Sequence, residues 1–211
     1  MGRARTREPG ALPTIPTIPP EQFRFDEVYH QAAAGDPALG TSPASAPFEL
    51  PVRFASEVID LRLEPPQLHV DALYVFRNRT SGAQSSRMFY PFPVDAAHPY
   101  PHDIQVEGAK FTPADRGILW QLAMQPHQET SVQVKYSQQC NDRSARYILK
   151  STSNWGQPLE HATYRVRWPA SLPNVNVSYS GTLTRDGDHM LLQFERDDFM
   201  PPRDLLITWG E

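Results

Sequence analysis

Tyr147-Ile148-Leu149-Lys150-Ser151-Thr152-Ser153-Asn154-Trp155-Gly156-Gln157-Pro158-Leu159-Glu160-His161-Ala162-Thr163-Tyr164-Arg165-Val166-Arg167-Trp168-Pro169 is the stretch whose reading decides the fold. In its second half Ala162, Tyr164, Val166 and Trp168 fall on one face, and Thr163, Arg165 and Arg167 on the other. A period of two with one polar face marks a strand buried on one side. The run before it sets Ala145, Tyr147 and Leu149 against Arg146, Ile148 and Lys150, so both runs feed one core. The turn between them carries Trp155. A ring placed there reads first as a plug folded over the end of a sandwich, and second as a platform on which a ligand stacks.

Outward from this pair the same pattern recurs from Phe48 on, in about eleven runs. Val58 to Leu63 places Ile59, Leu61 and Leu63 on one face, Pro65-Pro66 turns the chain, and Leu68 to Asn78 alternates over five apolar positions, predicting the longest strand. Arg87 to Tyr90 follows, and Tyr90-Pro91-Phe92-Pro93 withdraws two backbone donors, so that strand must end there or lie at an edge. Ala96 to His102 reads as loop, followed by strands at Ile104–Glu107, Ile118–Met124 and Val132–Tyr136. Beyond the central pair, Val175–Thr184 and Asp188–Glu195 flank Arg185-Asp186-Gly187, a dipeptide signal for a tight hairpin. Asp204–Trp209 closes the core with Leu205, Ile207 and Trp209. Short strands separated by turn signals predict an all-β, antiparallel β-sandwich over residues 47–211.

Residues 1–46 read differently. Pro9, Pro13, Pro16, Pro19 and Pro20 punctuate a segment poor in large apolar residues, and Thr14 to Pro20 favours polyproline II, a stiff spacer. This predicts an extended Pro-rich N-terminal arm that reaches or docks, with Ile15, Ile18, Phe23, Phe25 and Tyr29 as its partner-binding side chains. The Pro-rich loop around Tyr100, and Trp155, complete the expected contact set. Met1-Gly2-Arg3-Ala4-Arg5 has the charge of a secretory leader, but Glu8, Pro9 and Gly10 follow where an apolar stretch would have to stand.

Composition narrows the partners. A formal charge of −4, from 20 basic and 24 acidic residues, offers no electrostatic footing for nucleic acid or an anionic membrane surface. No run of apolar residues reaches the length of a membrane-spanning helix. Cys140 is the single cysteine, so no intrachain disulfide forms, and its polar surroundings Gln138-Gln139-Cys140-Asn141-Asp142 read as an exposed connection.

Candidate chemistry is thin. His98 and His102, four apart beside Asp103, would converge on a metal only if helical, and Pro99 and Pro101 forbid that, leaving a rigid exposed turn. Asp186, Asp188, Asp197 and Asp198 suit calcium, but turns are also where Asp belongs. Trp120 and Trp168 face inward by alternation, so only Tyr100 and Trp155 remain as exposed rings for a carbohydrate. Asn78-Arg79-Thr80 and Asn176-Val177-Ser178 match the glycosylation sequon. No catalytic, cofactor or metal residues are assigned. The expectation is a non-enzymatic interaction or structural module, an accessory subunit or adaptor bound to a protein partner in a larger, membrane-associated assembly. A carbohydrate-binding module and a metal-dependent hydrolase are the alternatives.

Tyr74-Val75-Phe76-Arg77-Asn78, Phe89-Tyr90-Pro91-Phe92-Pro93, Val132-Gln133-Val134-Lys135-Tyr136 and Tyr147-Ile148-Leu149 with Trp155 after it form an ordered set over residues 55–210. In this order the chain resembles uncharacterised bacterial extracytoplasmic β-sandwich proteins, and more distantly the vault/inter-alpha-trypsin (VIT) domain. The resemblance implies a binding or assembly sandwich in the periplasm or at the cell surface. The chain departs from it in the missing apolar leader, which leaves a cytoplasmic setting open.

Overall fold

The computed structural model describes residues 50–210. Ile15, Ile18, Phe23, Phe25 and Tyr29 of the expected arm lie outside the described residues. Among the described residues thirteen strands run in chain order: β1 (Val52–Glu64), β2 (Gln67–Asn78), β3 (Gln84–Pro91), β4 (His102–Glu107), β5 (Phe111–Ala114), β6 (Gly117–Met124), β7 (Glu129–Gln139), β8 (Ser144–Tyr147), β9 (Leu159–Pro169), β10 (Asn176–Val177), β11 (Thr182–Asp186), β12 (His189–Phe199) and β13 (Leu205–Thr208). They form one seven-stranded sheet, β11-β12-β9-β1-β2-β7-β4, and two three-stranded sheets, β10-β13-β8 and β3-β6-β5. One apolar core runs through all three. Tyr74 and Tyr136 of the large sheet meet Tyr90 of β3, and Phe194 stacks on Tyr179 beside β10.

The alternating faces behave as the sequence demands. Ala162, Tyr164, Val166 and Trp168 are buried, as are Ala145, Tyr147 and Leu149, but the two runs belong to different sheets that close over the same core. Each large side chain withdrawn from water in this way contributes roughly 1.5–3 kcal/mol. Leu205, Ile207 and Trp209 are buried at the end of the described chain. β3 lies at a sheet edge and stops at Pro91, where the ring removes the next donor.

Several expectations are corrected. β1 has 13 residues and is the longest strand, one more than β2. Its pairing with β9 is parallel in a sheet whose other pairs are antiparallel. The run expected over Val175–Thr184 is broken: β10 belongs to a small sheet and β11 to the large one, with Gly181 at the crossing. A Cβ on Gly181 would stand 2.3 Å from the Gln193 carbonyl oxygen, so the backbones approach as only glycine allows. The β11–β12 hairpin forms, but its two turn residues are Gly187 and Asp188, with the positive φ of 60° at Gly187. β5 is too short to show an alternation, and has no counterpart among the expected strands.

Candidate functional site

The outer face of the large sheet is polar, and a trough of roughly 440 Å³ crosses it. Its lining comes from β12, β9, β1, β2, β7 and β4, so it runs across six neighbouring strands. At a strand spacing of about 4.8 Å that is a trough about 24 Å long. The register fixes its chemistry in two rows. Arg165, Asp60, Asp71, Lys135 and Gln105 stand abreast in one, and Arg167, Arg62, His69 and Ser137 in the other.

The charges are partly paired. Arg165 meets Asp60 at 3.3 Å, Lys135 meets Asp71 at 3.8 Å, Arg62 meets Glu64 at 3.2 Å and Arg167 meets Asp186 at 3.1 Å. All of these side chains keep a third or more of their surface in water, so each pair is worth at most about 1 kcal/mol. They hold geometry more than they hold the fold. His69 Nδ1 lies 2.8 Å from Ser137 Oγ, which orients the ring along the trough.

Beneath this face lies a second polar assembly, sealed in the core. Phe54 pairs with Phe76, but Ser56 pairs with Val75, so Ala55 is an extra residue, a β-bulge. The bulge shifts the phase of β1, and Glu57 faces inward with Ile59, Leu61 and Leu63, 3% exposed. Tyr164 Oη donates a hydrogen bond to Glu57 Oε1. Burial, opposed in part by that bond, pushes the Glu57 carboxyl from its ordinary 4.5 up to about 7. Beside it Tyr74, Tyr90 and Tyr147, one from each sheet, join their hydroxyls in a ring: Tyr74 to Tyr90 at 3.1 Å, Tyr90 to Tyr147 at 3.0 Å, and Tyr147 to Tyr74. Burial raises all three phenols well above their usual range, so they remain neutral donors. The assembly is a polar fastening between sheets.

The residues singled out by sequence are dispersed. Trp155, in a 3-10 turn at Lys150–Trp155, packs on Phe54 and Phe76 at 5.7 and 5.5 Å, and acts as the expected plug. Tyr100 is half-buried, meets Phe92 edge-on at 5.4 Å and donates to the Gly117 carbonyl at 2.7 Å. Phe92 contacts Tyr136, opposite Val70, whereas Trp155 contacts Phe76, six residues along β2. Six residues span about 20 Å. The two rings are therefore neither freely exposed nor on one platform.

The exposed proline turn is corrected at His98, which is buried, with Nδ1 2.8 Å from Asp95 Oδ1 and Nε2 3.2 Å from the Ser144 carbonyl. It pins the loop to β8, while His102 pairs with Asp103 on the surface. Hydrogen bonds from His98 hold the Asp95 carboxyl below its usual range. Cys140 is also buried, not exposed, and burial raises its thiol to about 11. Asp186 pairs with Arg167 and Asp197 with His161, so the four aspartates do not converge. Among the described residues, no three His, Cys, Asp or Glu side chains are grouped to hold a metal ion. Asn78 is buried and binds Gly82 and Gln125 carbonyls at 2.8 Å, which removes that sequon from any glycan.

Glu57 was missed by sequence reasoning, and a signal was present. Alternation back from Ile59 places residue 57 on the same face as Leu61 and Leu63. The trough rows were not readable, because they depend on which strands are neighbours.

No protein-family model matches the chain and no curated protein matches it. Among solved structures it is similar to a candidate nutrient-binding protein of Legionella pneumophila, with 16% identity and a TM-score of 0.60 over 75% of this chain and 67% of that one. It is also similar to the M1 zinc metallopeptidase of Deinococcus radiodurans, with 14% identity and a TM-score of 0.47 over 74% of this chain and 42% of that one. A third is a candidate protease of Parabacteroides distasonis, at 7% identity and a TM-score of 0.42, covering 76% of this chain and 40% of that one. The first likeness shows a shared fold. The chain spans less than half the length of the two peptidase chains.

Proposed function

We propose that this protein is a non-enzymatic binding module, an accessory subunit or adaptor, whose contact surface is the polar outer face of the large sheet. The observation that carries this reading is the trough, lined from six strands, where side chains of both charge signs stand in fixed rows open to water. Such a surface confers orientation and selectivity on an encounter, since wrong partners meet like charges. The chemistry elsewhere supports the same reading. The carboxyl pushed up to about 7, Glu57, is locked in the core against Tyr164, away from any trough substrate. An extracytoplasmic assembly, expected from the resemblance, belongs to this proposal.

The test is affinity isolation of the full chain from its native source, with Lys135→Glu/Arg167→Glu in parallel. A stoichiometric partner retained by the wild type and reduced at least about tenfold in the variant is expected, a loss of about 1.4 kcal/mol. Equal capture by both proteins, or recovery of the chain alone, overturns the reading.

A further inference from the structure

The two rows of the trough are not arranged to neutralise each other. Asp60 and Asp71 stand directly abreast on β1 and β2, and Arg62 and Arg167 directly abreast on β1 and β9. Like charges placed opposite one another in a sheet repel. A chain selected for stability alone would exchange one member of each pair. Here the acid pair and the arginine pair are offset by two residues along β1, which separates them by about 6.6–6.8 Å.

The internal partners leave capacity. Arg62 engages Glu64 through Nε and Arg167 engages Asp186 through Nη2, and neither carboxylate lines the trough. A guanidinium presents five N–H donors in a rigid fork, so each keeps donors for an anion. Asp60 receives Arg165 at 3.3 and 3.4 Å, long contacts, and Asp71 has Lys135 only at 3.8 Å, though Gln133 donates to it. His69, held by Ser137, stands beside Arg62 and adds a polar edge to the arginine end.

We infer that the trough binds a small zwitterion whose ammonium group sits between Asp60 and Asp71 and whose carboxylate sits between Arg62 and Arg167. A separation of about 5–7 Å between the ligand's charges fits the offset, the scale of a dipeptide, in which the Cα atoms stand about 3.8 Å apart with one charge outside each. Each end of the ligand relieves one like-charge pair, so binding is coupled to a repulsion already present in the sheet. A single-charge ligand relieves one pair and leaves the other. This inference rests on the outer face being the binding surface.

The experiment is an amide nitrogen–proton NMR titration of the full chain with glycylglycine. Glycine, whose charges are one carbon apart, and an equimolar mixture of acetate and methylammonium serve as comparisons. Saturating shifts concentrated at residues 60–62, 69–71 and 165–167 are expected with glycylglycine, with weaker or unsaturated responses to the comparisons. Asp71→Asn and Arg167→Gln, both at exposed positions, should each weaken binding at least about tenfold. Shifts that do not saturate, map elsewhere, match those of the acetate–methylammonium mixture, or persist unchanged in both variants overturn the assignment. If they fail while Lys135→Glu/Arg167→Glu still abolishes partner capture, the zwitterion falls and the binding-face reading stands. If both fail, both fall.

Discussion

Replacing Glu57 by glutamine should abolish one component of the pH dependence of stability and leave the others. The folded carboxyl is pushed from an ordinary 4.5 up to about 7, with burial as the main cause and the Tyr164 hydrogen bond opposing it. Because the folded state holds this proton more tightly than the unfolded state, the stability that Glu57 contributes is fully present below about pH 4.5. It falls as pH rises toward 7 and is flat above. Each pH unit in that window carries about 1.4 kcal/mol, so the total is about 3 kcal/mol for a group with 3% exposure. The glutamine side chain is neutral at every pH, and its amide oxygen still accepts from Tyr164. Urea unfolding followed by tryptophan fluorescence at pH 4.5, 6, 7 and 8 gives the difference between the two proteins. Every other titrating group largely cancels from that difference. Near-equal stability at the acid end is expected, and an advantage for the variant growing to about 3 kcal/mol by pH 8. Parallel profiles would refute the reasoning, and so would a wild type that gains on the variant as pH rises.

The tyrosine ring should behave as a unit: Tyr147→Phe alone should cost about 1–3 kcal/mol, because it removes two of the three ring hydrogen bonds and leaves Tyr74 and Tyr90 only each other, and the cost of Tyr147→Phe with Tyr90→Phe should depart from the sum of the single costs by at least about 0.5 kcal/mol. Additive costs in the double-mutant cycle would contradict a shared ring. Gly117→Ala should lower stability by about 2 kcal/mol or more in the same unfolding assay, because its Cβ would lie 2.2 Å from the Tyr90 carbonyl oxygen; a change under about 0.5 kcal/mol would show that the β3–β6 pair yields freely. Cys140, with its thiol near 11, should react with a disulfide reagent at pH 8 about a hundredfold more slowly in the folded than in the urea-unfolded chain, and equal rates would show that the burial is not maintained.

The alternation of β9, β2 and β7 was legible because each has one apolar face, and Trp120, Trp168, Leu205 and Ile207 are buried where it put them. The first part of β1 was not, since the bulge at Ala55 changes the phase between Phe54 and Glu57 and disguises one strand as unrelated fragments. Cys140 was misplaced for a related reason. The inward face of β7 continues from Tyr136 through Gln138 to Cys140, and Gln138, 1% exposed, looks like loop composition while it donates to the Pro99 carbonyl at 2.9 Å. His98 reads as surface until its two ring contacts are seen, one to Asp95 in its own loop and the other to Ser144 of β8, which only the fold makes adjacent. The trough was hidden for the broadest reason: Asp60 beside Asp71 and Arg62 beside Arg167 are juxtapositions across strands, and the second joins segments 105 residues apart.

That same parallel seam imposes a timetable on synthesis. β2 can close on β1 as soon as both have left the ribosome, but β9 follows 105 residues later, about 5–20 s at ordinary elongation rates. Until then one flank of a 13-residue strand has its backbone donors and acceptors open to any neighbouring nascent chain. Slowing translation between β2 and β9 should raise the aggregated fraction of newly made protein, while the finished fold, its seam closed, should be indifferent to it.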